Sequence, residues 1–278
     1  MNDLVSTDWL DKQRTTSRVT ILDATMFMPG TRDAASEFRA AHIPGAQFFD
    51  IDAISDPNHP APHMMPTADA FGRAMEALGV GRDDRIVVYD NSPLHSATRA
   101  WFMLRHFGAP QVAVLDGGFG KWTAEGRTVE SGKVMPAAGA RFDADEARRE
   151  VVAKQAIING VGQPMVDARS RERFDGRAPD PRPGVAPGHI PGSRNLPLAE
   201  LYRPDGTMKN EEELRAAFRA AEVDPQAPFI ATCGSGVTAT SIILAARRLG
   251  GRDAMLYDGS WSEWGADPAT PKATTPTG

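Results

Sequence analysis

The chain contains a single cysteine, Cys233, and the residues that follow it are Gly-Ser-Gly-Val-Thr. Two glycines in so short a run permit the positive-φ conformations that wrap a backbone around one point. Successive N–H groups of such a loop, with the N-terminus of a following helix, form a site for an anion. This setting favours the nucleophilic thiolate of Cys233. We therefore expect the loop to bind the substrate through the backbone of Gly234, Gly236, Val237 and Thr238.

Two other roles would also suit a lone cysteine. Many lone cysteines are small buried hydrophobes. A glycine loop directly after a strand argues against that role here, because ligands of open α/β folds bind at the carboxyl ends of the parallel strands. In a phosphatase loop, five residues and then an arginine follow the cysteine. The residue at that position is Ala239, so the sequence does not favour a phosphatase.

The chain repeats itself once, which predicts two similar halves. The sequence HIPG occurs at His42–Gly45 and again at His189–Gly192. Three further pairs keep the same order: VTILDA with PMVDA, IVVYD with FIATC, and VLDGGFGKW with LYDGSWSEW. The copies are 142 to 147 residues apart, a drift that loop insertions would produce. In this alignment Asp90 stands in the first half where Cys233 stands in the second.

Each half alternates strand and helix patterns. The apolar runs Ile86–Tyr89 and Phe229–Thr232 suit buried parallel strands. Between such runs lie helical patterns, one of them with an N-cap predicted at Thr67 and an end predicted at Gly79. We therefore predict two tandem α/β domains, each a parallel sheet flanked by helices. The predicted boundaries are 1–130 for the first domain, 131–158 for a linker and 159–278 for the second domain.

Composition narrows the choice of partners and compartment. The formal net charge is −5, so no bulk basic field would attract nucleic acid or an acidic membrane. The N-terminal residues lack the basic start and apolar core of a secretory signal, and no apolar run has the length of a membrane span. One cysteine forms no internal disulfide. We expect a cytoplasmic protein with small-molecule substrates and with no nucleic-acid or membrane partner.

Two histidines and two tryptophans recur in both halves of the chain, which indicates a structural role. His42 and His189 recur in both halves, including the half without a cysteine, and the same holds for Trp122 and Trp264. We expect all four to be structural. His59 and His63 have the spacing of a helical zinc pair, but the surrounding prolines forbid a helix, so we expect no metal. We also expect no cofactor.

These features resemble the two-domain rhodanese family, and more narrowly its 3-mercaptopyruvate sulfurtransferase branch. The duplicated halves, the HIPG turns, the DGS-W-EW ending and CGSGVTA carry the resemblance, which covers nearly the whole chain. It implies tandem rhodanese-like domains and an enzyme that carries sulfur as a persulfide on Cys233. It also implies that the first domain, with Asp90 at the cysteine position, is catalytically silent. Thiosulfate-preferring relatives place basic residues just after the cysteine, whereas this chain has Gly234 and Ser235.

The resemblance also implies the other site residues. An arginine in an Arg-Phe pair and another nine positions later, in a proline-rich turn, would bind the substrate; these are Arg173 and Arg182. A guanidinium fork binds a carboxylate with two hydrogen bonds, as this substrate requires. An Asp, a His and the loop Ser would form a proton relay, and the matching residues are Asp52, His63 and Ser235. The alternative is that Asp52 and His63 only hydrogen-bond the loop.

Three functions remain in contention. The first is sulfur transfer from 3-mercaptopyruvate to a thiophilic acceptor, which would be cyanide, a small thiol or a thioredoxin-like protein, with release of pyruvate. The second is transfer from thiosulfate to cyanide. The neutral residues after Cys233 disfavour it, because a divalent anion would prefer added positive charge. The third is a non-catalytic protein that binds or senses sulfur, which the presence of Cys233 disfavours.

Overall fold

A computed structural model describes residues 1–16, 19–146 and 150–275 of the chain. Contacts divide the chain into two compact units, and neither is one continuous stretch. The described residues of the first unit fall within Met1–Ser55, Pro66–Arg148 and Arg203–Met208. Those of the second fall within Asp56–Met65, Arg149–Tyr202 and Lys209–Gly278. Each unit thus combines most of one repeat with a short segment of the other.

The first unit is built on a parallel sheet. Its strands are β1 (Leu4–Val5), β2 (Thr20–Asp23), β3 (Gln47–Phe48), β4 (Ile86–Tyr89) and β5 (Val112–Leu115). They lie in the order β1-β5-β4-β2-β3, and every described pairing is parallel. Parallel neighbours need crossover connections. Helices lie between the strands: α1 (Thr7–Thr16), α2 (Ala34–Ala40), α3 (Ile51–Ile54), α4 (Ala68–Ala77) and α5 (Ala97–His106), with α6 (Gly118–Ala124) after β5.

The second unit repeats this architecture. Its strands are β6 (Val151–Val152), β7 (Met165–Asp167), β8 (Arg194–Asn195), β9 (Phe229–Thr232) and β10 (Ala254–Tyr257). Their order, β6-β10-β9-β7-β8, is that of the first sheet shifted by one repeat, and the described pairings are again parallel. The helices are α7 (Lys154–Ile158), α8 (Arg171–Phe174), α9 (Glu211–Ala220), α10 (Ala239–Arg248) and α11 (Ser260–Trp264), with a 3₁₀ turn at Leu198–Glu200. The predicted duplication and α/β class are confirmed.

The central strands and the helices follow the residue patterns. Every residue of β4 and of β9 is buried, as expected of strands covered on both faces. The Thr67 hydroxyl accepts the N–H of Ala70 at the start of α4, and Gly79 takes a positive φ of 71° after its end. Both ends of that helix were predicted. Within the described ranges, no helix is long and apolar enough to cross a membrane.

The segment predicted as a linker contains regular structure. Both β6 and α7 lie inside 131–158, and β6 pairs with β10 in the second sheet. Residues 147–149 of the predicted linker lie outside the described residues. The domain boundaries proposed from the sequence stay a prediction.

The repeated histidines occupy equivalent places in the two units. His42 stacks on Phe38 and its Nδ1 lies 2.7 Å from the Phe38 carbonyl oxygen. His189 stacks on Phe174, with Nδ1 2.8 Å from that residue's carbonyl oxygen. Both histidines are buried. These contacts join each histidine to a phenylalanine of the preceding helix, α2 in the first unit and α8 in the second, as a structural role requires.

In each unit the aspartate of the repeated Asp-Gly sequence holds a segment from the other repeat. The Asp258 carboxylate accepts the N–H of Met65 at 2.6 Å, within the second unit. The Asp116 carboxylate accepts the N–H of Met208 at 2.8 Å, within the first unit. We call Asp56–Met65 the strap of the second unit. A charged acceptor makes each of these hydrogen bonds stronger than a neutral one would be.

Candidate active site

Cys233 lies directly after β9, at the start of the loop that leads into α10. It is 1% exposed. Its carbonyl oxygen accepts the N–H of Trp261 at 3.0 Å, and the carbonyl oxygen of Gly234 accepts the N–H of Ser262 at 2.8 Å. Both donors belong to α11, so the start of the loop is fixed to that helix.

A buried serine holds the loop from its inner side. The Ser260 hydroxyl accepts the N–H groups of Cys233 (3.1 Å) and Gly236 (3.0 Å) and donates to the carbonyl of Tyr257 (2.8 Å). Ser260 is fully buried and has a positive φ of 49°. Ser260 is not among the site residues predicted from the sequence. The signal was the repeat itself, since Gly118, which has no hydroxyl, occupies the matching position in the first half.

The remaining amides of the loop are open to a ligand. Among the described residues, no protein acceptor receives the N–H groups of Ser235, Val237 and Thr238. The Gly236 N–H, by contrast, is engaged by Ser260. Gly236 has a positive φ of 75°, as the tight loop requires. The loop can therefore supply several N–H groups to an anion, and the substrate-binding role of its backbone stays a prediction.

Arg173 and Arg182 bring two guanidinium groups to this loop. A β-carbon built on Gly234 would lie 3.4 Å from Arg182 Nη1 and 3.5 Å from Arg173 Nη2. Each arginine side chain is 25% exposed. Arg173 is the third residue of α8, whose N-terminus is capped by Ser170. Arg182 lies in the proline-rich segment that follows this helix. The second unit thus places both predicted arginines beside the residue that follows Cys233.

His63 reaches Ser235 from the strap of the second unit. The His63 Nδ1 and the Ser235 Oγ lie 2.9 Å apart. His63 has a positive φ of 62°, an unusual conformation for a residue other than glycine and one that is frequent at functional sites. The Asp258 hydrogen bond to Met65 holds the strap two residues further on. The strap therefore places an imidazole on the hydroxyl of the cysteine loop.

The third residue of the predicted relay, Asp52, belongs to the first unit. It is exposed in the first turn of α3, a helix capped by Asp50. A carboxylate in a first turn also stabilises a helix by itself. The role of Asp52 in a relay stays a prediction.

His59 takes part in a local turn rather than in a cluster of ligands. Its Nδ1 accepts the N–H of Ala61 at 3.0 Å. Across the part of the chain that the structure describes, no three or more His, Cys, Asp or Glu side chains lie together as metal ligands.

In the first unit, the Asp90 carboxylate accepts hydrogen bonds from backbone N–H groups of the loop and helix that follow it. One oxygen accepts the Ser92 N–H at 3.0 Å, and the other accepts the Ala97 N–H at 2.7 Å. Burial raises the pKa of Asp90 to about 7; the two N–H groups oppose this change, and the Asp23 carboxylate adds to it. The loop amides that could receive an anion are occupied here by the protein's own side chain.

We expect Asp90→Asn to gain stability relative to the wild type as the pH rises from 5 to 8. The pKa of Asp90 is higher in the folded than in the unfolded protein, so its contribution to the free energy of unfolding is lost as pH rises through about 7. That contribution is on the order of a few kcal/mol. Calorimetry at both pH values should show the difference in Tm shifting by about 5 °C in favour of the variant. A constant difference would contradict the prediction; the exposed Asp69→Asn serves as control.

Comparison with known proteins shows that the chain is similar to proteins named as sulfurtransferases. A model of the rhodanese-like domain matches the chain twice, over residues 6–125 and 147–267. The 3-mercaptopyruvate sulfurtransferase of Rattus norvegicus is 42% identical over 271 residues, which cover 94% of this chain and 91% of that protein. The thiosulfate sulfurtransferase of the same organism is 41% identical over 271 residues, with the same coverage. The overall sequence identity to these two relatives therefore does not show which of the two sulfur donors this chain uses.

The fold of the chain also matches that of a solved structure. The crystal structure of SseA from Escherichia coli, described in work on 3-mercaptopyruvate sulfotransferases and the rhodanese fold, matches with a TM-score of 0.85. The sequences are 39% identical, and the match covers 95% of this chain and 100% of that one. With this coverage the similarity extends over both units.

Proposed function

Because the chain belongs to the rhodanese-like domain family, we propose that it is a sulfurtransferase that takes sulfur from 3-mercaptopyruvate through a persulfide on Cys233. The observation that carries the proposal is the pair of guanidinium groups beside Gly234. A carboxylate and an adjacent carbonyl on one small molecule suit two such forks. No side chain at Gly234 separates the arginines from the loop.

The first half-reaction moves one sulfur atom. The Cys233 thiolate attacks the thiol sulfur of 3-mercaptopyruvate, and a sulfur–sulfur bond forms as the carbon–sulfur bond breaks. The bonding electrons leave on carbon as the enolate of pyruvate. The proton of the donor thiol, relayed to that carbon, completes pyruvate and leaves a Cys233 persulfide anion. In the second half-reaction an acceptor attacks the outer sulfur and the Cys233 thiolate returns, which predicts ping-pong kinetics.

His63 and Ser235 are suited to move that proton. Their hydrogen bond joins an imidazole to a hydroxyl at the cysteine loop, and such a pair can take a proton from one atom and deliver it to another. We propose that Asp52 completes the relay by orienting His63, as the carboxylate does in other histidine relays. The loop amides would hold the persulfide anion while the acceptor arrives.

Thiosulfate is the second candidate donor. The identity to a thiosulfate sulfurtransferase supports it, and two arginines could also bind a divalent anion. The neutral Gly234 and Ser235 argue for 3-mercaptopyruvate, because they add no positive charge for the second negative charge of thiosulfate. A non-catalytic sulfur-binding protein is the remaining alternative.

The acceptors we propose are cyanide, small thiols and thioredoxin-like proteins. We also propose a cytoplasmic location, with no nucleic-acid or membrane partner and no cofactor. The net charge of −5 supports the absence of a nucleic-acid partner.

One comparison of donors tests the proposed function. We expect the purified chain to form thiocyanate from cyanide with a higher kcat/KM for 3-mercaptopyruvate than for thiosulfate, and to release pyruvate in the first case. An equal or higher kcat/KM with thiosulfate would overturn the choice of donor. Absence of turnover with both donors would favour the binding protein.

A further inference from the structure

A buried carboxylate lies between the two arginines of the site. Asp180 Oδ2 accepts from Arg173 Nη2 at 2.5 Å, and Asp180 Oδ1 lies 3.4 Å from Arg182 Nη1. The same Oδ1 accepts the backbone N–H of Arg182 at 3.0 Å. The Asp180 side chain is 1% exposed, whereas the arginine side chains are each 25% exposed. The carboxylate is thus enclosed behind the two cations.

Asp180 also determines how much positive charge the site presents. Within the described part of the chain, neither arginine forms an ion pair with any other carboxylate, and the buried Arg173 Nε donates to no acceptor. Two guanidinium groups and one carboxylate leave a single net positive charge beside the cysteine loop. A donor with one negative charge would balance it, whereas a divalent donor would leave one negative charge in excess next to the Cys233 thiolate.

The backbone around the carboxylate is restrained by three prolines, and its side chain is oriented by a local turn. Pro179, Pro181 and Pro183 fix φ on both sides of it and of Arg182. The Oδ1 contact to the Arg182 N–H is a local turn that orients the side chain. The Asp180 carboxylate is therefore held against the two arginines.

From this arrangement we propose that Asp180 determines donor specificity by matching the arginine pair to a singly charged donor. The proposal rests on the sulfurtransferase function proposed above. Asp180 contacts the arginines, so it acts as a positioning and charge-setting residue. Removing its charge should favour the divalent donor more than the monovalent one, because the interaction scales with the charge of the ligand.

The test compares the two donors on Asp180→Asn. We measure kcat/KM with thiosulfate and with 3-mercaptopyruvate on the same preparation, because their ratio does not depend on the fraction of folded protein. We expect the thiosulfate to 3-mercaptopyruvate ratio to rise about tenfold. The rise should shrink at high salt, since the arginines are partly exposed. Asp175→Asn is the matched control: Asp175 pairs with Arg177 in the same region at 2.6 Å, and its ratio should not change.

Three results would overturn the proposal. A ratio within about twofold of the wild type would show that the charge does not select the donor. A similar rise in Asp175→Asn would show a general charge effect, and equal losses with both donors would show a purely structural role. If Asp180→Asn does not fold, Asp180→Ser is measured in the same way. The proposed function is judged separately on the wild type, by whether it turns over 3-mercaptopyruvate and prefers it to thiosulfate.

Discussion

We expect Cys233→Ser to lose nearly all sulfur transfer from either donor while both units stay folded. The hydroxyl oxygen of serine does not form the sulfur–sulfur bond on which the proposed cycle depends. The fold should tolerate the change, because the contacts that hold residue 233 run through its backbone N–H and carbonyl to Ser260 and Trp261. We expect kcat to fall by about 10³-fold or more, measured as pyruvate release and thiocyanate formation.

A mass measurement checks the same prediction without turnover. Wild-type protein incubated with 3-mercaptopyruvate and no acceptor should gain the mass of one sulfur atom, which cyanide then removes. Cys233→Ser should gain none and should unfold at a temperature close to that of the wild type. Sulfur transfer at more than a hundredth of the wild-type rate would show that the persulfide is not an obligatory intermediate.

The second large effect is expected from Arg173→Lys, which keeps the charge and removes the fork. A lysine ammonium offers no planar pair of donors, so it would lose either its contact with Asp180 or one contact with the substrate carboxylate. A hydrogen bond to a charged group contributes about 1.5–3 kcal/mol, which corresponds to a rise in KM for 3-mercaptopyruvate of about 10- to 100-fold. The change in kcat should be smaller, because the arginine would act mainly by binding.

Arg177→Lys is the matched control for this substitution. Arg177 pairs with Asp175, and its side chain is 45% exposed. Its replacement should leave both constants unchanged. If Arg173→Lys leaves KM for 3-mercaptopyruvate at the wild-type value, Arg173 does not bind the substrate.

The sequence predicts the fold well because the same pattern of strands and helices occurs in both halves of the chain. Four short matches in one order indicate two copies, and the apolar runs at β4 and β9 identify the central strands of both sheets. The ends of α4 were predicted from Thr67 and Gly79 because caps are local features. By contrast, β6 has two residues and depends on pairing with β10, which local sequence does not encode.

The site was predictable where a motif is local and less so where distant residues meet. The loop after Cys233 can be recognised from its glycines. The Ser260 hydroxyl is far away in sequence, and only the fold shows that it accepts two N–H groups of the loop. Asp180 sits in a proline-rich, charged stretch that resembles a solvated loop, so its burial behind two arginines was not foreseen. In the hydrogen bond from Met65 to the Asp258 carboxylate the donor is a backbone N–H, so the residue type at position 65 does not reveal it.

The strap also limits how the chain can be divided. The second repeat alone would lack Asp56–Met65, and with it His63, the imidazole partner of Ser235. The first repeat alone would in turn lack Arg203–Met208, which belongs to its unit. The duplication is therefore no longer two interchangeable modules. A gene cut between the repeats would encode two incomplete products, and selection on either half must act on the other as well.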